Sequence, residues 1–194
     1  TLYKCYNTFY HPSNMVICVV GDVNPEETFK LIENGIKRTD PMPEIKRLFP
    51  EEPDAVNQSY VEESLSVSMP MFQMGIKDVK WPGGGIECLK REIAVKVLLE
   101  MLMGRSSSLY NKLYDKGLIN RTFGFDSNIE ERFAFSMFGG ESSDPEKVRE
   151  LIAEEIEHYH ANGIDIKACD RIKKAVNGRF IRQMNSIERI AHTF

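Results

Sequence analysis

From Ile86 onward the chain repeats apolar residues at helical spacing: Ile86, Leu89, Ile93, Val97 and Met101, widened by Ala94, Leu98 and Leu102. That period marks one broad face of a long helix. Charge survives on one side, at Glu87, Arg91 and Glu100, so the pattern predicts a largely buried helix. A helix of this kind needs another layer to cover it, and 194 residues suffice to build one large core.

The other elements come in irregular order. "TLYKCYNTFYHPSN" predicts a short helix stopped before Pro12, and "MVICVV" (15–20) predicts a buried strand. In "GDVNPEETFKLIENGIKR", Asn24 suits a helix cap, Pro25 its first turn and Glu27 the third position after the cap. Phe29, Ile32 and Ile36 mark that helix's inner side. Residues 39–57 hold four prolines without a sustained period and read as an extended connection. Leu65, Val67 and Met69 alternate, as do Phe72, Met74 and Ile76, predicting two half-buried strands bent or broken at Pro70. "WPGGG" (81–85) is a turn into the long helix.

Farther on, strands are expected around Thr122 to Phe125 and Phe133 to Phe138. Asp144 and Pro145 open a helix whose Val148, Leu151, Ile152, Ile156 and Tyr159 point inward, ended by Asn162-Gly163. Ile166, Cys169, Ile172, Val176, Phe180 and Met184 outline a last long helix. No βα unit repeats. The pattern fits an α+β fold, a mainly antiparallel sheet backed by helices, better than a doubly wound sheet.

Composition limits the function classes. A net charge of -4 argues against a nucleic-acid surface, which needs a dominant basic field. No apolar run reaches membrane-spanning length. Cys5, Cys18, Cys88 and Cys169 are widely spaced without C-x-x-C, and Cys18 and Cys169 lie on apolar patterns; buried reduced thiols and a cytoplasmic setting are expected. The chain starts at Thr1 and stops at Phe194 inside a helical pattern, so residues 1–194 read as a single domain cut from a longer protein, truncated at its C-terminal end.

No segment is a free-standing reaction centre. The histidines are His11, His158, His160 and His192, with neither H-E-x-x-H nor H-x-x-E-H among them. Glu154 and His158 lie one helical turn apart, but a solvated helix face accounts for them better than a cation site. "GRSSS" (104–108) lacks the G-x-S-x-G spacing of a nucleophile elbow, and its serines suit the end of one helix and the cap of the next. "WPGGG" lacks the dinucleotide-binding spacing. The basic run "RIKKAVNGRFIR" (171–182) fits the solvated side of its helix, opposite Ile172, Val176 and Phe180.

Two passages carry a resemblance. "FYHPSNMVICVVGDVNPEE" (9–27) resembles the strand-to-helix entry of the C-terminal domain of pitrilysin/insulinase-type zinc peptidases. "GRSSSLYNKLYDKGLI" (104–119) is similar to the family's G-x-x-S-x-L-x-x-x-L-x-x-x-x-G-L segment. The spacing between them also fits, and the likeness covers nearly the whole chain, most closely to zinc peptidases of Gram-positive bacteria.

The resemblance implies the fold of the metallohydrolase domains of mitochondrial processing peptidase, shared with silent core subunits of respiratory complexes. It also implies a half without the metal. In the family, an H-x-x-E-H helix of an earlier homologous domain holds zinc, and the motif's glutamate activates water. An arginine and tyrosine pair facing the zinc across a closed chamber helps to hold substrate. Those positions fall on Tyr114 and Asn120, so the chain departs from the pattern at both. The implied partners are a zinc-bearing homologous domain or subunit and a peptide substrate, with zinc held there and none here. Tyr110, Tyr114 and Asn120 are the candidate chamber-wall residues, and the chain alone is expected to be inactive. The competing expectation is a catalytically silent assembly subunit.

Overall fold

In a computed structural model the described residues are 1–37, 40–42, 44–46, 48, 51, 53–79 and 83–193. Their contacts form two compact units, Glu51–Val176 and the pair of segments Thr1–Pro50 and Asn177–Phe194.

The larger unit is built on three antiparallel strands, β1 (Met71–Asp78), β2 (Gly124–Ile129) and β3 (Ala134–Glu141), in the order β1-β3-β2. Its helices are α3 (Gly85–Met103), α4 (Ser108–Asp115), α5 (Pro145–Asn162) and the first part of α6 (Ile166–Gln183). α3 packs on β2 and α4, while α5 packs on α4 and β1. This is the α+β class that the irregular element order implies. Neighbouring positions along each strand face opposite ways. Phe72 and Met74 of β1, Phe125 of β2 and Phe138 of β3 join Leu102, Leu113, Val148 and Ile152 in one core. The other face carries Met71, Gln73, Met137 and Glu141, and Gln73 Nε2 lies 3.4 Å from Met137 Sδ across it.

Close approach explains one glycine. A Cβ on Gly140 would lie 2.8 Å from Phe123 Cα, so a side chain there would have to displace the backbone entering β2. Buried Ser142 then joins sheet to helix: its N–H donates to Pro70 O at 3.0 Å and its Oγ accepts from Asp144 N at 3.1 Å. Asp144 caps α5 by accepting from Lys147 N at 3.0 Å, with Pro145 in the first turn. Val148, Leu151 and Ile152 are buried, Ile156 and Tyr159 pack against them, and Gly163 ends the helix at φ 77°.

The long stripe is buried only in part. Val97, Met101 and Leu102 are enclosed, as are Leu99 and Met103 outside the stripe, whereas Ile86, Leu89, Ile93 and Leu98 are exposed. Only the last turns of α3 lie where the sheet, α4 and α6 converge. Met71–Asp78 forms β1 as the alternation predicts, but Leu65, Val67 and Met69 stay outside any strand and exposed. Trp81 and Pro82 of the expected turn lie outside the described residues, as do Arg38, Thr39, Pro43, Arg47, Phe49, Pro50 and Glu52 of the connection and Phe194 at the end.

The smaller unit contains α1 (Leu2–Phe9), a 3-10 turn at Pro12–Asn14, α2 (Pro25–Gly35), the end of α6 and α7 (Ile187–Thr193). His11 is buried within it: Nδ1 accepts from Ser13 N at 3.2 Å, and Nε2 bonds Asp40 O at 2.9 Å. Asn24 caps α2 as expected, accepting from Glu26 N at 3.0 Å and Glu27 N at 3.2 Å. The strand expected over 15–20 is absent, and Met15, Val16, Ile17, Cys18 and Val19 are exposed. Such a run records fitness for a half-buried pleated surface, not a backbone preference that holds without a paired neighbour. Phe29 and Ile36 are likewise exposed, so the inner side of α2 covers no core. All four cysteines are free; Cys5 and Cys18 are exposed, Cys88 and Cys169 half-buried. No described helix is long and apolar enough to cross a membrane.

Candidate functional site

The segment 104–126 assembles the candidate wall. Gly104 closes α3, and Ser107 opens α4 by accepting Tyr110 N–H at 3.0 Å. These serines form a joint between helices, as expected from their spacing. At the far end of α4, Leu118 N donates to Leu113 O at 3.0 Å and Gly117 N to Tyr114 O at 2.9 Å. That pair of bonds, with Gly117 at φ 67°, is the Schellman stop that only glycine takes up without strain. It reverses the chain and carries Asn120 back to the end of β3.

There a polar bracket forms. Asn120 Nδ2 donates to Glu141 Oε2 at 2.6 Å, and Asn120 Oδ1 accepts from Thr122 N at 2.8 Å and Thr122 Oγ1 at 2.6 Å. Thr122 Oγ1 in turn accepts from Glu141 N at 3.0 Å. Both ends of the Asn120 carboxamide are therefore engaged inside the chain. Glu141 and Thr122 are absent from the sequence-derived site. The Asn-x-Thr spacing, which favours a side-chain-closed turn, was the available signal for the Thr122 contact; nothing local points to Glu141, because that pairing depends on sheet register.

The three candidates fall in different settings. Tyr110 is buried, 6.2 Å between ring centres from Phe123 and 6.0 Å from Tyr114. Tyr114 stacks on it at 11° and is exposed. Asn120 is half-buried and bracketed. One tyrosine thus anchors the other, and Tyr114 presents the accessible phenol. Beyond them lies the open sheet face, where alternation places Glu141 with Met71, Gln73 and Met137.

Metal donors do not gather. His158 Nδ1 lies 3.1 Å from Asn162 Nδ2, Glu154 is exposed, and among the described residues no three of His, Cys, Asp and Glu converge. The described residues therefore do not fit a zinc site, and no catalytic step is assigned to zinc among them.

The family model described as the Peptidase M16 inactive domain matches residues 1–176. A Bacillus subtilis protein described as the uncharacterized zinc protease YmfH is 38% identical over 198 residues, covering 100% of this chain and 45% of the relative. The crystal structure of an M16-like peptidase from Alicyclobacillus acidocaldarius superposes with a TM-score of 0.87 at 29% identity, over 99% of this chain and 46% of that one. A protease from Helicobacter pylori shares the fold, with a TM-score of 0.79 at 22% identity over 98% of this chain and 46% of its own. The chain spans less than half the length of each.

Proposed function

The chain belongs to the M16 peptidase family, the pitrilysin/insulinase type, as its inactive domain, and on that premise we propose that it completes the peptide-holding chamber of a zinc endopeptidase. In this reading a homologous half carries the H-x-x-E-H helix, the zinc and the water-activating glutamate, and residues 1–194 are one domain of that longer protein. The complex works in the cytoplasm, in keeping with four unpaired cysteines.

The observation that carries the reading is what stands at the positions of the family's substrate-holding pair. Asn120 is committed to Glu141 and Thr122, so its role is to fix the turn beside the wall. Tyr114, backed by buried Tyr110, offers a phenol and an aromatic face to a bound peptide. Neither residue supplies the guanidinium charge that the family places there. Transition-state stabilisation must then come from the zinc-bearing half, and this half contributes orientation.

The test uses the whole protein with an unstructured peptide. Tyr114→Ala is expected to raise KM several-fold with kcat nearly unchanged, the mark of lost uniform binding. Removing zinc with a chelator is expected to abolish cleavage. A whole protein that binds no zinc and cleaves nothing in any pairing would instead support a silent assembly subunit.

A further inference from the structure

A concavity lies among the helices of the larger unit, lined by residues of α3, α5 and α6, the first residue of α4 and the joints between helices, with no strand residue in its wall. It is an open cleft of about 490 Å³, with Asp165 and Arg171 exposed at its surface and a volume within the range of small-ligand sites. Met101 and Ile172 are buried residues of its apolar lining. Its polar lining is of mixed charge. Glu155 and Asp165 supply carboxylates and Arg171 a guanidinium, while Ser106 and Ser108 add hydroxyls that bond to no other described residue.

These charges do not neutralise one another. Among the described residues, neither the Glu155 nor the Arg171 side chain makes a hydrogen bond or an ion pair, and the Asp165 carboxylate accepts only the Lys167 N–H at 2.9 Å. The carboxylates act on a common point: the Tyr159 hydroxyl is pushed above its usual pKa by burial first, then by the charges of Glu155 and Asp165. That hydroxyl lies 3.5 Å from Met101 O, too far for a strong bond. A phosphate would meet two carboxylates against one guanidinium and the His158 ring, and a bare cation would meet that guanidinium. A ligand bearing both signs satisfies each group.

From this arrangement we propose that the cleft binds an α-amino zwitterion, either a free amino acid or a short peptide with free termini. Glu155, Asp165 and the Tyr159 hydroxyl receive the ammonium. Arg171 and the serine hydroxyls receive the carboxylate, and an aliphatic side chain rests on Met101 and Ile172. Nothing in this site requires hydrolysis, so it stands apart from the peptidase reading.

The experiment is calorimetric titration of the whole protein, with zinc chelated so that loss of peptidase activity leaves the readout intact. L-Leucine and Ala-Leu are the probes, and N-acetyl-leucine and leucinamide the blocked analogues. Saturable binding of a probe is expected, with each analogue at least about tenfold weaker. Glu155→Gln and Arg171→Gln are each expected to weaken binding by a similar factor. The stronger of the two probes identifies the source, free amino acid or peptide. Amide shifts at Tyr159 and Ile172 in the unaltered protein locate the ligand should either variant fail to fold. Absence of saturable binding by either probe, equal affinity for the blocked analogues, or shifts that spare those two residues would overturn the proposal.

Discussion

α2 and α5 begin alike and end in opposite circumstances. Each has a polar cap residue, Asn24 or Asp144, each has proline in its first turn, and each carries glutamate near its start. Yet α5 buries Val148, Leu151 and Ile152, while α2 has no buried residue and leaves Phe29 66% exposed. Capping decides where a helix starts, because it satisfies N–H groups that the helix itself cannot. What the helix contributes to stability is decided by the surface that meets its apolar side.

Substitutions along this contrast should rank in order. Leu113→Ala, at a wholly buried position beside α5, is expected to cost about 2–5 kcal/mol in urea unfolding of the whole protein. Gly140→Ala, which drives a methyl into the Phe123 backbone, should cost about 1–3 kcal/mol. Loss of the α5 cap in Asp144→Ala is expected to remove about 1 kcal/mol, because that helix is held by its packing. Phe29→Ala should fall within about 0.5 kcal/mol. A Phe29→Ala cost that matches Leu113→Ala would break the contrast, showing that α2 is covered in the complete protein.

The sequence made helix ends legible because they are local: cap, proline and glycine lie within a few residues of the bonds they make. Asn24, Asp144 and Gly163 sit where their chemistry places them. The core side of α5 was legible for the same reason, through its period. Partners distant in the chain were less so. The runs at 15–20 and 65–69 have the side chains of strands but no ladder, and the start of α3 has the stripe of a buried helix without its cover. For the candidate wall, spacing identified the joint at 104–108, whereas the fate of Asn120 depended on Glu141, twenty-one residues away across a sheet register.

The bracket around Asn120 also constrains what can replace that residue. Asn120→Tyr would strip Glu141 of its amide partner and Thr122 of its acceptor in a single step, loosening the turn. A tyrosine there would require at least a compensating change at Glu141. Two positions distant in sequence are thereby coupled, because a change at either one leaves the other's side chain without its partner.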